Sequence, residues 1–184
     1  MKTKFILHGG FTTGQKQEND KFTKEILKDT PKETTILLVY FAKELDGIPK
    51  NKEEDINQFN KNKGDKELLF IIANEESFED QIKESDIIYL HGGRSLKILE
   101  IIKKYTNLSE LFEGKIVAGD SAGANVLAKA FYSLTSDTIS EGIGLLSIKL
   151  IPHYEEKNKN KLDDIYPELE TLRLSEFQFI VYEQ

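Results

Sequence analysis

The sequence predicts an α/β fold: a single-domain, doubly wound, mostly parallel sheet flanked by helices and spanning residues 1–184. Three observations lead there. Apolar runs of strand length recur along the chain. They are near-continuous rather than alternating, which marks strands covered on both faces. Stretches of helical spacing stand between them, so that strand and helix alternate.

The first five strand runs are residues 4–8 (KFILH), 35–41 (TILLVYF), 68–73 (LLFIIA), 86–90 (DIIYL) and 115–118 (KIVA). Residues 143–151 (IGLLSIKLI) and 177–182 (FQFIVY) add two more in the second half. Between the first strands, Phe22, Ile26 and Leu27 share one helical face. Leu96, Leu99, Ile102 and the stem of Lys103 share another. Residues 44–64 are polar and rich in Lys and Asn, and they read as a helix with exposed loops. No Pro/Gly/Ser tract marks a domain boundary.

Composition excludes several function classes. With 184 residues and 39% hydrophobic content the chain can build a core, so disorder and a tandem array are poor readings. Zero cysteines remove disulfides, thiolate zinc sites and cysteine nucleophiles. A net charge of -7 and the lack of a dense basic run disfavour nucleic-acid binding. The apolar run before Gly9 is far too short for a signal peptide or a membrane span, so a soluble cytoplasmic protein is expected. The three histidines, His8, His91 and His153, offer no metal centre, and no feature implies a cofactor.

Two copies of His-Gly-Gly, at 8–10 and 91–93, follow predicted strands, where an open α/β sheet places its ligands. Glycine pairs there also serve simply to permit a tight turn. Neither copy makes a G-x-G-x-x-G dinucleotide fingerprint, and no Walker-type G-K-[ST] is present.

The informative stretch is residues 115–127 (KIVAGDSAGANVL), a G-x-S-x-G pattern between an apolar strand and a helix-forming run, the context of a nucleophile elbow. Small residues flank Ser121 because strand and helix backbones approach closely at such a turn. The N–H of Ala122 at the helix start can face a developing oxyanion. A serine hydroxyl needs a base. His8 and His91 belong to the glycine turns, whereas His153 follows a strand ended by Pro152, which makes it the candidate.

These residues resemble the peptidase E and cyanophycinase group of serine peptidases, whose fold is related to class I glutamine amidotransferases. The resemblance is carried by Gly119-Asp-Ser-Ala-Gly-Ala-Asn-Val126, by His91-Gly-Gly93, by Pro152-His153-Tyr154 and by residues 174–181 (LSEFQFIV). It implies Ser121 as nucleophile, His153 as base, and the backbone of Gly92 and Gly93, with Ala122, as oxyanion hole. Likeness to peptidase E itself points to Asp137 as the third member, and likeness to cyanophycinase points to Glu176. Glu155 and Glu141 remain alternatives. The expected partner is a small peptide substrate, with the chain acting as a monomer or homodimer.

Two residues depart from the family pattern. Arg94 stands where a small polar residue is expected, and it either binds a substrate carboxylate or stands in solvent. Asp120, beside the nucleophile, either gains from the helix dipole or repels an anionic substrate. The only arginines are Arg94 and Arg173, so no arginine-lined aspartyl pocket is visible. Specificity is expected to lie in residues 11–18 and 44–64.

Overall fold

A computed structural model describes residues 2–12, 14 and 16–184. The first half alternates as the hydrophobic runs require: β1 (Lys4–His8), α1 (Asp20–Leu27), β2 (Glu33–Val39), α2 (Ile48–Asn62), β3 (Glu67–Ile72), α3 (Phe78–Lys83) and β4 (Ile87–Leu90). Then come α4 (Ser95–Ile102), α5 (Leu108–Leu111), β5 (Ile116–Asp120) and α6 (Ala122–Leu127). The remainder is β-rich: β6 (Ala128–Ser133), β7 (Thr138–Glu141), β8 (Leu146–Pro152), β9 (Thr171–Leu174) and β10 (Phe179–Glu183).

The strands form two sheets, where one was expected. The larger has the order β10-β1-β5-β4-β2-β3, parallel except for β10, and the smaller has the order β7-β6-β8-β9. The second sheet exists because α6 lasts only six residues before the chain turns extended at Ala128. Its strands escape a sequence reading because Thr138–Glu141 is almost wholly polar and exposed, and Thr171–Leu174 is four residues long. The strand expected to open at residue 143 opens at Leu146, after a turn in which Gly144 has φ +70°.

One core runs between the two sheets and joins them. Phe5, Leu7 and Val117 of the larger sheet pack with Ile98 and Leu99 of α4, with α6, and with Phe131, Leu150 and Leu172 of the smaller sheet. A second core, around Phe22, Ile26, Leu38, Phe59 and Tyr89, fills the other face under α1 and α2. The face expected on α1 is buried as read. On α4 the buried stripe is Ser95, Ile98, Leu99 and Ile102, whereas Leu96, one position off that stripe, is 50% exposed. Lys103 lies past the helix end and is exposed. No helix among the described residues is long and apolar enough to cross a membrane.

Candidate active site

The two neighbours of β5 in the larger sheet, β1 and β4, are the strands that end in His-Gly-Gly. Ser121 leaves the end of β5 at φ 47°, ψ −101°, a conformation non-glycine residues seldom adopt. Its N–H donates to His8 O at 3.0 Å and its C=O accepts from Asn125 N at 2.9 Å, so the turn is held from both sides. The flanking glycines are obligatory. A Cβ on Gly123 would meet Leu90 O at 1.9 Å, and one on Gly119 would meet Ala124 N at 2.6 Å.

Ser121 Oγ lies 2.9 Å from His153 Nε2. Pro152 ends β8, and His153 follows at φ 48° with its N–H donating to Gly9 O at 2.7 Å. Gly10 lies directly under the imidazole, where a Cβ would come within 2.1 Å of His153 Cε1. Behind the ring, His153 Nδ1 is 3.3 Å from Glu176 Oε1. Glu176 stands on the turn between β9 and β10, which is pinned by Phe177 N to Gly10 O at 3.2 Å and by Gly9 N to Gln178 O at 2.8 Å. The pair is partly solvated, with side-chain exposures of 28% and 47%.

The other three carboxylates weighed from the sequence are not brought to the ring. Asp137 sits exposed and accepts from Tyr132 Oη at 2.7 Å and Lys161 Nζ at 2.9 Å, and those two hydrogen bonds hold its carboxyl below the usual range. Glu141 accepts from Tyr166 Oη, and Glu155 pairs with Lys157 at 2.7 Å.

Ser121, His153, Gly92 and Gly93 line one cleft of about 190 Å³, together with Phe11, Lys43 and Thr135. That is below the roughly 300–1,000 Å³ typical of sites for drug-sized ligands. The N–H groups of Gly93 and Ala122 have no protein acceptor among the described residues. Arg94 does not line this cleft. Its guanidinium is exposed and reaches Glu44 at 3.4 Å.

Asp120 does line the cleft, but its carboxylate is engaged from within. It is 3% exposed, and it bonds His8 Nδ1 at 3.0 Å and Thr12 Oγ1 at 2.6 Å. The sheet register explains this, since His8 and Asp120 are direct neighbours across β1 and β5. Burial opposes the ionised form, but the His8 bond and charge, with Thr12, hold the carboxyl below its ordinary value.

Sequence reasoning missed Lys43, the cation that does line the cleft. Its ammonium has no hydrogen-bonding or ion-pair partner among the described residues. Burial pulls its pKa down against the attraction of Asp120, Asp55 and Glu54. No sequence motif marks it, because it reaches the site from the turn after β2. Of the expected specificity segments, residues 44–64 form chiefly α2, and within residues 11–18 Thr13 and Gln15 lie outside the described residues.

An α/β fold in which a strained strand-to-helix serine faces an imidazole backed by a carboxylate belongs to the class of serine peptidase-type hydrolases. The chain is a member of peptidase family S51, whose family model matches residues 5–180. Its fold is similar to that of a peptidase from an acI-B1 Actinobacterium, at 19% identity and a TM-score of 0.72 over 98% of this chain and 83% of that one. It is also similar to a protein assigned to peptidase E from Listeria monocytogenes EGD-e, at 18% identity and a TM-score of 0.70 over 100% of this chain and 98% of that one. No curated protein matches the sequence significantly.

Proposed function

We propose that the chain hydrolyses a small peptide or isopeptide-like amide through an acyl-enzyme on Ser121. The observation that carries this reading is the 2.9 Å contact between Ser121 Oγ and His153 Nε2, made by a serine in a strained turn. His153 Nε2 takes the hydroxyl proton as Oγ attacks the carbonyl carbon, and the imidazolium then gives that proton to the leaving amine. Water then attacks the acyl carbon, losing a proton to the same nitrogen, and the imidazolium returns that proton to Ser121 Oγ as the acyl C–O bond breaks and the acid leaves. Glu176 orients the ring by accepting from Nδ1–H. The N–H groups of Gly93 and Ala122 receive the charge that builds on the carbonyl oxygen. The rival reading, a non-catalytic relative that keeps the serine turn, requires a base without a carboxylate or a plugged cleft. Glu176 and the cleft weigh against both.

Lys43 in the cleft favours a substrate with a carboxylate near the scissile bond. Ser121→Ala tests the mechanism. With a substrate of this kind, hydrolysis is expected to vanish while the melting temperature holds. Unchanged turnover in that variant sinks the reading.

A further inference from the structure

Two buried histidines are not used by the reaction above: His91, which lines the cleft, and His8, the neighbour of Asp120. His91 is the more informative. It is 1% exposed, and its Nδ1 lies 2.9 Å from Gly92 O. A carbonyl oxygen only accepts, so this contact puts a proton on Nδ1. The other nitrogen, Nε2, is then turned toward Asp55 Oδ2, at ion-pair distance, 3.4 Å, though off line for a hydrogen bond. Asp55 rises from α2, is 5% exposed, and accepts from Tyr40 Oη at 2.7 Å. The rings of Tyr40 and Tyr89 pack against the imidazole at centroid distances of 5.3 and 5.9 Å.

The peptide joining Gly92 to Gly93 is trans, so its C=O and its N–H point in opposite directions. With Gly92 O drawn inward onto His91, Gly93 N–H is sent outward, toward the cleft both glycines line with Ser121. Two successive glycines give that peptide little intrinsic preference for one orientation. Side chains are excluded from the turn, since a Cβ on Gly92 would meet Asp120 Oδ2 at 2.6 Å and one on Gly93 would meet Ala42 O at 2.4 Å. The permissive backbone is therefore needed there, and something else must fix its orientation.

We propose that His91, packed against Tyr40 and Tyr89 beside Asp55, is the positioning residue of the oxyanion site: its Nδ1–H anchors the Gly92 carbonyl and so keeps the Gly93 N–H aimed at the oxygen that becomes negative. This deepens the reading of Ser121 as nucleophile and rests on it.

The test is the rate at which an alkyl fluorophosphonate modifies Ser121, followed by intact mass, because the phosphoryl oxygen occupies the oxyanion position as the P–F bond breaks and fluoride leaves. His91→Phe keeps a ring between Tyr40 and Tyr89 but donates nothing, and is expected to slow labelling about 10²–10³-fold, the usual cost of one oxyanion donor. His91→Asn offers an amide N–H in place of Nδ1–H and is expected to restore most of the rate, which a packing role alone does not predict. Asp55→Leu removes the carboxylate that faces Nε2 and loosens the ring's seat, while the Gly92 carbonyl still keeps the proton on Nδ1. It is expected to slow labelling too, and it covers the case in which His91→Phe fails to fold. Labelling unaffected by these changes, or equal loss in the Phe and Asn variants, overturns the proposal while leaving the nucleophile intact. A wild-type chain that is not labelled at Ser121 overturns the nucleophile reading, and the proposal with it.

Discussion

Replacing Gly10 by alanine probes the support under the proposed base. A Cβ built there lies 2.1 Å from His153 Cε1, 2.3 Å from Nε2 and 2.8 Å from Nδ1, whereas ordinary contact begins at 3.4 Å. The ring must therefore retreat by about 1.3 Å, which carries Nε2 out of hydrogen-bond range of Ser121 Oγ. Misplacement of about 1 Å at a reacting group costs about 10²-fold, and full loss of a general base costs about 10²–10⁴-fold, so kcat/KM is expected to fall within that span. Gly10 also has φ +118°, a strain of about 1–3 kcal/mol for alanine, small against the roughly 5–15 kcal/mol of a folded domain. Gly64→Ala is the control, because Gly64 has φ +61° and nothing within 4 Å of its added methyl. It should lose similar stability by thermal melting and no activity. A folded Gly10→Ala protein with wild-type kcat/KM refutes the reasoning.

Glu176→Gln is expected to lower kcat about ten- to a hundredfold, less than the about 10⁴ of a buried orienter because the pair is partly solvated. Asp137→Asn should leave kcat alone, and equal losses in the two variants contradict the assignment. Lys43→Met is expected to raise KM about tenfold for a substrate bearing a carboxylate beside the scissile bond and to leave its neutral amide unaffected. The same shift for both substrates removes Lys43 from specificity. Burial lifts Asp55 from 3.8 to about 6, against the pull of His91 and the Tyr40 hydrogen bond. A raised carboxyl favours the folded state fully below pH 3.8, and that contribution is lost as the pH climbs through about 6. Asp55→Asn cannot ionise, so its urea stability relative to wild type should rise between those values and level off above, by up to about 3 kcal/mol. A difference independent of pH would show that Asp55 does not carry this burden.

The parallel strands were legible because a strand covered on both faces must be apolar throughout, as Ile36 to Val39 and Ile87 to Leu90 are. Of the smaller sheet only β8 was legible, because β6 follows α6 without a break and β7 and β9 are four residues each. Ser121 and His153 emerge from local pattern and from the scarcity of histidines. Their partner does not, because Glu176 and Asp137 are distinguished only by tertiary placement: one turn is stapled to Gly10, and the other is tethered to Tyr132 and Lys161. Lys43 and Asp55 come from the end of β2 and the body of α2, and nothing in their neighbourhoods announces a shared destination. Both His-Gly-Gly copies drew notice for their glycines. The carboxylates that face the two histidines, Asp120 and Asp55, lie 112 and 36 positions away.

Ser121 is carried by the larger sheet and His153 by the smaller, and the backbone bond from His153 N to Gly9 O is the rivet between them. The Ser–His contact is thus a gauge laid across a seam. In the proposed reaction, a shift of one sheet against the other by a fraction of an ångström would lengthen that contact and slow proton transfer while each ladder stayed intact. Heat, pressure or dilute denaturant should therefore silence the chemistry while the strands are still in place.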